Sequence, residues 1–355
     1  MIKNKIDKEK ILKPKKSSDA IFRAIKKPTP EDIARGFLTE NVFRKSEEAS
    51  GLRVEGYDFD SGADYVKIID SFASTGFQAT QLSRAMEIVN KMRKGKAFIY
   101  LGYTSNLVTS GLRDIFRYLA ENKMIDVIVS TAGGIEEDII KCLGDFKIGS
   151  FSASGKELRD KGINRAGNVF ISNNNYVKFE EFLQQILEEL YSEKKTITSS
   201  ELIWKLGEKI NDKKSIYYHC YKNKIPVYCP AITDGAIGDN LYFFSFKHPD
   251  FKLDIMPDVV WFNNTTIGKK KTGAIILGAG VIKHSILNAN MLRNGCDYAV
   301  YINTSAEYDG SDSGAMPDEA VSWGKITKNA ESVKVFGDAT ILFPLIAAQC
   351  FAENQ

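Results

Sequence analysis

The chain is poor in the residues that build disulfide frameworks and metal centres. Its 355 residues include five cysteines, Cys142, Cys220, Cys229, Cys296 and Cys350, scattered and without a C-x-x-C pair. That pattern excludes a disulfide scaffold or zinc ribbon and predicts free, buried thiols in a reducing cytosol. Only three histidines occur, His219, His248 and His284, and none has a second at metal-ligand spacing, so no metal is expected. No apolar run approaches the roughly 20 residues that span a bilayer. Met1-Ile2-Lys3-Asn4-Lys5 lacks an apolar signal core, so a cytoplasmic, membrane-free protein is expected. A net charge of +3 is small for this length and argues against a dedicated nucleic-acid binder. The remaining composition, 43% hydrophobic and 26% charged, is that of an ordinary globular chain.

Met1 to Lys16 is lysine-rich and reads as a solvated tail. Pro30, followed by Glu31 and Asp32, suits a helix N-terminus, and residues 1–50 read as an arm before a catalytic domain over 51–355. From Tyr57 a regular alternation begins. Helical spacing covers Thr80 to Lys94, Asn106 to Asn122, Ile135 to Leu143 after a Gly-Gly turn, Val177 to Tyr191, Leu202 to Ile210 capped by Ser200, Val281 to Leu292, and Ala339 to Phe351. Between these patterns lie short apolar strands at Ala97–Leu101, Met124–Ser130, Val227–Pro230, Ala274–Leu277, Tyr298–Ile302 and Val333–Phe336. Nearly continuous apolar strands alternating with helices predict an α/β fold. The expected sheet is doubly wound, mostly parallel and Rossmann-like, with helices on both faces, and an N-terminal arm precedes it.

Ligands of such sheets bind beyond the carboxyl ends of the strands. Each expected strand here is followed by glycine or by Ser, Thr, Asn or Asp, most by both: Gly102 to Asn106, Thr131 to Asp138, Ala231 to Asp239, Gly278 to Gly280, Asn303 to Ser305, and Gly337 to Ala339. One glycine-rich turn says little, but six in register suggest an extended ligand such as a dinucleotide. A G-x-G-x-x-G fingerprint is absent. Glu136, Glu137, Asp234, Asp239, Asp309 and Asp312 fall in these loops. Singly they read as helix caps; clustered they would need cations, either a metal or a polyamine. His284 is a general base or a hydrogen-bonded helix residue, and Trp323 is core or a cation–π wall. Lys325 follows Trp323 downstream of the acidic stretch Glu307 to Gly314. A lysine is a nucleophile only when neutral, a state that an apolar or cation-rich neighbourhood favours.

Five stretches carry a family resemblance: TSNL (104–107), STAGGIEED (130–138), PAITDGAIGDN (230–240), VIKHSILNANMLRNGCDYAVYINT (281–304) and EYDGSDSGAMPDEAVSWGKI (307–326). Together they closely resemble deoxyhypusine synthases, from about Gly56 to Phe351. The resemblance implies NAD-dependent cleavage of spermidine and release of 1,3-diaminopropane. It further implies transfer of the aminobutyl group, through an imine on an enzyme lysine, to one lysine of translation initiation factor 5A. On that resemblance Lys325 is the nucleophile and His284 moves a proton at the substrate amine. Ser105, Asn106, Leu107, Val108, Thr109, Thr131, Ala132, Gly133, Glu137, Asp234, Gly278, Thr304, Ser305, Asp338 and Ala339 would contact NAD. Glu136, Glu137, Asp239, His284, Asp309, Gly310, Ser311, Asp312, Glu319, Trp323 and Lys325 would line the spermidine channel. A homotetramer of paired dimers is implied, with sites at the tight interface and the arm capping a neighbour's site. Homospermidine synthases, which pass the same group to putrescine, arise within the family. So do regulatory paralogues, which lack the nucleophile that this chain keeps. The sequence departs most from the family in the arm up to Ser50, and more slightly at Thr109, Ser305 and Ala279.

Overall fold

The computed structural model describes residues 29–34 and 47–352. The basic tail expected over Met1–Lys16 lies outside them, as does most of the expected arm. The chain divides into two units, Met1–Leu52 and Arg53–Gln355. In the first, helix Pro30–Ala34 begins where Pro30 predicts. The Asp32 amide donates to Thr29 Oγ1 at 3.1 Å and the Thr29 amide to Asp32 Oδ2 at 2.8 Å, a reciprocal cap.

The second unit is built on a six-stranded, wholly parallel sheet. Its strands are β1 (Phe98–Tyr103), β2 (Val127–Ser130), β7 (Val227–Tyr228), β9 (Thr272–Leu277), β10 (Cys296–Asn303) and β11 (Ile326–Phe336), in the order β11-β10-β9-β1-β2-β7. The chain winds from β1 outward through β2 to β7, then restarts on the other side of β1 with β9. The β1–β9 junction is therefore the topological switch point, where the strand ends open a crevice. Side chains alternate between two cores, as a parallel sheet covered on both faces requires. Ile99, Leu101, Tyr103, Ile275, Leu277, Val300 and Val335 enter the larger core. That core holds helices Phe77–Lys94, Leu112–Glu121, Ala132–Leu143, Asn173–Glu193 and Ala339–Ala347. Tyr100, Val129, Ala274, Ile276, Ala299 and Tyr301 enter the smaller one, under helices Met256–Asn264 and Val281–Met291. Among the described residues no helix is long and apolar enough to cross a membrane.

Several local expectations are corrected. The pattern over Asn106–Asn122 is two helices, Ser105–Thr109 and Leu112–Glu121, and Lys141 Nζ takes the carbonyls of Val108 and Ser110 at their junction, at 2.6 and 2.7 Å. Gly133 and Gly134 are not a turn before Ile135 but the first turn of helix Ala132–Leu143. They are there for close approach: a Cβ on Gly134 would lie 2.1 Å from Ser130 Oγ, and one on Gly133 would lie 2.8 Å from Ser105 Cβ. Thr198, not Ser200, caps helix Ser199–Ile210, in a capping box with Glu201. Ser200 instead donates its amide to Asp258 Oδ2 at 2.9 Å. β11 begins seven residues before the expected Val333, at Ile326. An antiparallel sheet of β3 (Lys147–Ile148), β5 (Val169–Ser172) and β4 (Ile163–Ala166), and a short parallel pair of β6 (Thr196–Ile197) with β8 (Lys252–Leu253), were not expected.

Candidate active site

Register aligns the strand ends. Tyr103 lies opposite both Ser130 and Leu277, Ile302 opposite Leu277, and Asn303 opposite Phe336. The residues that follow these positions therefore emerge along one rim. At the switch point they enclose a crevice of about 380 Å³ lined by Thr104, Asn106, Leu107, Gly278 to Gly280, Thr304, Ser305, Asp338 and Ala339. Gly278 has φ +82, and a Cβ there would stand 2.5 Å from Thr104 Oγ1, so only glycine keeps the two loops this close. Asp338 caps helix Ala339–Ala347 through the Thr340 amide at 2.8 Å. The site assignments at these positions thus come together in one place.

A second group forms at the ends of β1, β2 and β7. The Ser105 amide donates to Thr131 Oγ1 at 3.1 Å, joining the first two strand-end loops. Glu136 is buried, and its Oε2 accepts the Ile237 amide at 2.9 Å, at the start of the helix that carries Asp239. Glu136, Gly235 and Asp239 line a cleft of about 640 Å³ with Tyr176, Val177 and Phe243. Glu137, one residue on, accepts a short hydrogen bond from Thr109 Oγ1. Burial pushes the Glu137 carboxyl up to about 7, against the Thr109 bond, while nearby Glu136 raises it further. Burial likewise pushes Lys141 down to about 8, with Arg113 contributing. Val108 and Ala132 are buried main-chain neighbours of these groups, and Asp234 is exposed in the turn after β7.

The third group gathers on the smaller-core side. The loop between β10 and helix Pro317–Ser322 carries Asp309, Gly310, Ser311 and Asp312. Asp309 Oδ1 accepts the Ser311 amide at 2.8 Å, and this bond holds its carboxyl below the usual range. Asp312 is different: its Oδ2 is buried and has no hydrogen-bond partner. Glu319 is exposed on the following helix, and His284 is exposed on helix Val281–Met291. Trp323 is 64% exposed. Gly324, at φ +72, turns the chain into β11, and Lys325 Nζ comes to 5.7 Å from the Trp323 ring. The structure brings Lys325 to Trp323 but not to Glu136, Glu137 or Asp239. Those carboxylates belong to elements of the larger core, across the sheet.

Sequence reasoning missed three lysines. Lys141, Lys283 and Lys334 are all withdrawn from solvent, and each donates to main-chain carbonyls of a loop at the strand-end rim. Lys334 alone carried a signal, as a lysine inside the apolar strand VKVF, where charge is rarely buried.

Comparison with known proteins supplies a family. The deoxyhypusine synthase family model matches residues 67–350. A deoxyhypusine synthase of Senecio vernalis is 50% identical over 361 residues, covering 92% of this chain and 97% of its own. Homospermidine synthase 2 of the same plant is 48% identical over 347 residues, covering 89% of this chain and 94% of its own. A solved structure described as a deoxyhypusine synthase from Entamoeba histolytica superposes with a TM-score of 0.65 at 35% identity, covering 85% of this chain and 98% of that one.

Proposed function

Because the chain belongs to the deoxyhypusine synthase family of transferases, we propose that it cleaves spermidine and passes the 4-aminobutyl group through Lys325 to a lysine of translation initiation factor 5A. The observation that carries the polyamine reading is Asp312, whose Oδ2 is buried without a partner, and Asp312 and Lys325 both act on the charge of Lys283. An unpaired buried acceptor is costly, and an ammonium ligand would satisfy it. The exposed Trp323 face, 5.7 Å from Lys325 Nζ, supplies a wall for the alkyl spacer.

The switch-point crevice fits NAD: small side chains, close-set glycines and the amino end of helix Ala339–Ala347 favour a pyrophosphate-bearing ligand. Asn106, Gly278, Thr304, Ser305, Asp338 and Ala339 would hold it, with Ser105, Thr131 and Gly133 beside them. When bound, NAD supplies a reversible two-electron acceptor. The chain's own residues do the rest. His284 takes a proton from the substrate amine. Lys325, as a neutral amine, attacks the oxidised carbon; the C–N bond to the departing propyl arm breaks and 1,3-diaminopropane leaves with the proton. The acceptor lysine then displaces Lys325 by the same exchange, and return of the two electrons taken up at the start reduces the resulting imine to the saturated secondary amine.

One chain supplies Lys325 and Glu136–Asp239 on opposite faces of its sheet. A tight homodimer, paired into a tetramer, brings one subunit's group to the other's. The outer surface of the smaller-core layer supports this, since Ile255, Met256, Val260, Ile267, Met291 and Leu292 are all exposed there. A cytoplasmic setting suits the five free cysteines of the chain.

The decisive experiment incubates the purified chain with NAD and spermidine labelled in the butyl arm, offering either the factor precursor or putrescine. Label on the factor is the expected result. Label only in homospermidine selects the second reading, which the 48% identity to a homospermidine synthase keeps in view. No cleavage in either arm overturns both.

Glu137 sets a pH dependence. With its carboxyl raised from 4.5 to about 7, it binds a substrate ammonium well only once it has lost its proton. The kcat/KM for spermidine is expected to rise with unit slope up to about pH 7, and Glu137→Gln to flatten that limb. The sign for stability is opposite. The raised carboxyl contributes stability that is fully present below pH 4.5 and is lost as pH rises through about 7. Thermal melts of the ligand-free protein should show this loss, and Glu137→Gln should diminish it.

A further inference from the structure

The acidic loop rests on two buried lysines. Lys283, 1% exposed on helix Val281–Met291, donates from Nζ to the main-chain oxygen of Asp312 and, at 3.0 Å, to that of Ala315. The same ammonium lies 4.8 Å from the centroid of the Tyr301 ring. Lys334, 7% exposed on β11, donates to the oxygen of Ser305 at 2.7 Å and to that of Gly314. These four carbonyls include both stems of the loop, Ser305 on the way out and Gly314 and Ala315 on the return. Between the stems the loop has only turns, such as Gly310 N to Glu307 O at 3.3 Å and Gly314 N to Ser311 O at 3.1 Å. Such a segment has little of its own to hold a shape.

Burying an ammonium costs several kcal/mol unless its donors are paired, so each lysine is committed to the carbonyls it reaches. The choice of partner matters chemically. Lys283 bonds the backbone of Asp312 and leaves the side-chain Oδ2 without a partner. Had it paired with the carboxylate, it would compete with any cationic ligand. By taking the carbonyl it fixes the residue and leaves the acceptor open. We propose that Lys283 and Lys334 are positioning residues that hold the 305–315 backbone so that the carboxylates of Asp309 and Asp312 present themselves to a polyamine. The idea rests on the polyamine reading of this site. Burial also pushes both lysines below their usual range, with Asp312 opposing the shift at Lys283 and Glu307 at Lys334, as expected for cations held close under an acidic loop.

Lys283→Met and Lys334→Met keep the side-chain length and remove the ammonium. Hydrogen exchange of the full-length protein should show the 305–315 amides opening about tenfold faster or more, the scale of a lost charged hydrogen bond, while β9 and β10 amides stay as they were. Steady-state kinetics should show the spermidine KM rising about tenfold with the NAD KM within about twofold. Lys283→Arg or Lys334→Arg, which keep a cation, should recover part of the KM. Should a methionine variant fail to fold, the glutamine variant keeps one donor and carries the same test with a smaller shift. Unchanged exchange at 305–315 overturns the proposal, and so does a loosening shared equally by β9 and β10. If the wild-type protein itself does not cleave spermidine, the polyamine reading fails, and the exchange arm still decides whether the lysines hold the loop.

Discussion

Lys325→Arg is expected to transfer no aminobutyl group, with turnover down at least roughly 10⁴-fold, the scale of losing a covalent nucleophile. An arginine stays protonated and cannot become a neutral amine. The local fold gives the substitution a clean background. The Lys325 amide donates to Ala320 O at 3.0 Å, and its carbonyl accepts the Cys296 amide at 3.0 Å, so the backbone is tied at both sides whatever the side chain. Trp323 and the open Asp312 carboxylate remain, so spermidine should still bind within a few-fold. The measurement is reductive trapping. With NAD and labelled spermidine, borohydride should fix label on the Lys325 peptide of the wild type and leave the variant unlabelled. Label fixed on the variant, or full transfer by it, removes Lys325 from the nucleophile's role. Loss of spermidine binding along with transfer would instead make it a binding residue.

Much of this site was legible because strand ends in a parallel sheet are also ligand positions. Apolar runs such as AFIYL and YAVYI located the strands, and the small residues after them located the crevice. Legibility failed where tertiary partners decide. β11 extends back to Ile326 through Thr327, Lys328 and Asn329, too polar to read as a strand, because pairing with β10 continues to Tyr298 opposite Glu331 and Cys296 opposite Ile326. Arg84 and Lys91 then bind Glu331 at 3.0 and 2.6 Å from a helix far away in sequence. The β3–β5 pairing is short, and its Gly149 is set by a contact with Phe170, which no local pattern announces. The division of the site between two sheet faces was equally hidden, since sequence order places Lys325 and Glu136 in the same kind of strand-end loop.

The run Glu136-Glu137-Asp138 concentrates this difference and yields the largest stability effect. Three successive acids on one helix point about 100° apart, so they meet three different partners. Glu136 reaches the start of helix Ala236–Lys247, Glu137 reaches Thr109, and Asp138 turns into the protein. Fully buried, Asp138 accepts Arg113 Nε at 2.6 Å and the Ile216 amide at 3.1 Å on Oδ1, and Ser215 Oγ at 2.6 Å on Oδ2. It thus pairs a buried guanidinium and joins the start of helix Ile216–Asn223 to the helix bearing the site carboxylates. Asp138→Ala leaves buried Arg113 with only the long, solvent-exposed ion pair to Asp114 at 3.7 Å and is expected to cost about 3–5 kcal/mol in denaturant unfolding. Arg113→Leu should cost less, because Ser215 and the Ile216 amide still hold the carboxylate. Adding Arg113→Leu to Asp138→Ala should recover part of the loss, since the uncompensated cation is then gone. An Asp138→Ala cost under about 1 kcal/mol would show that the pair does not hold these helices together. A double variant no better than Asp138→Ala alone would place the cost in the lost cap of Ile216 rather than in the stranded charge.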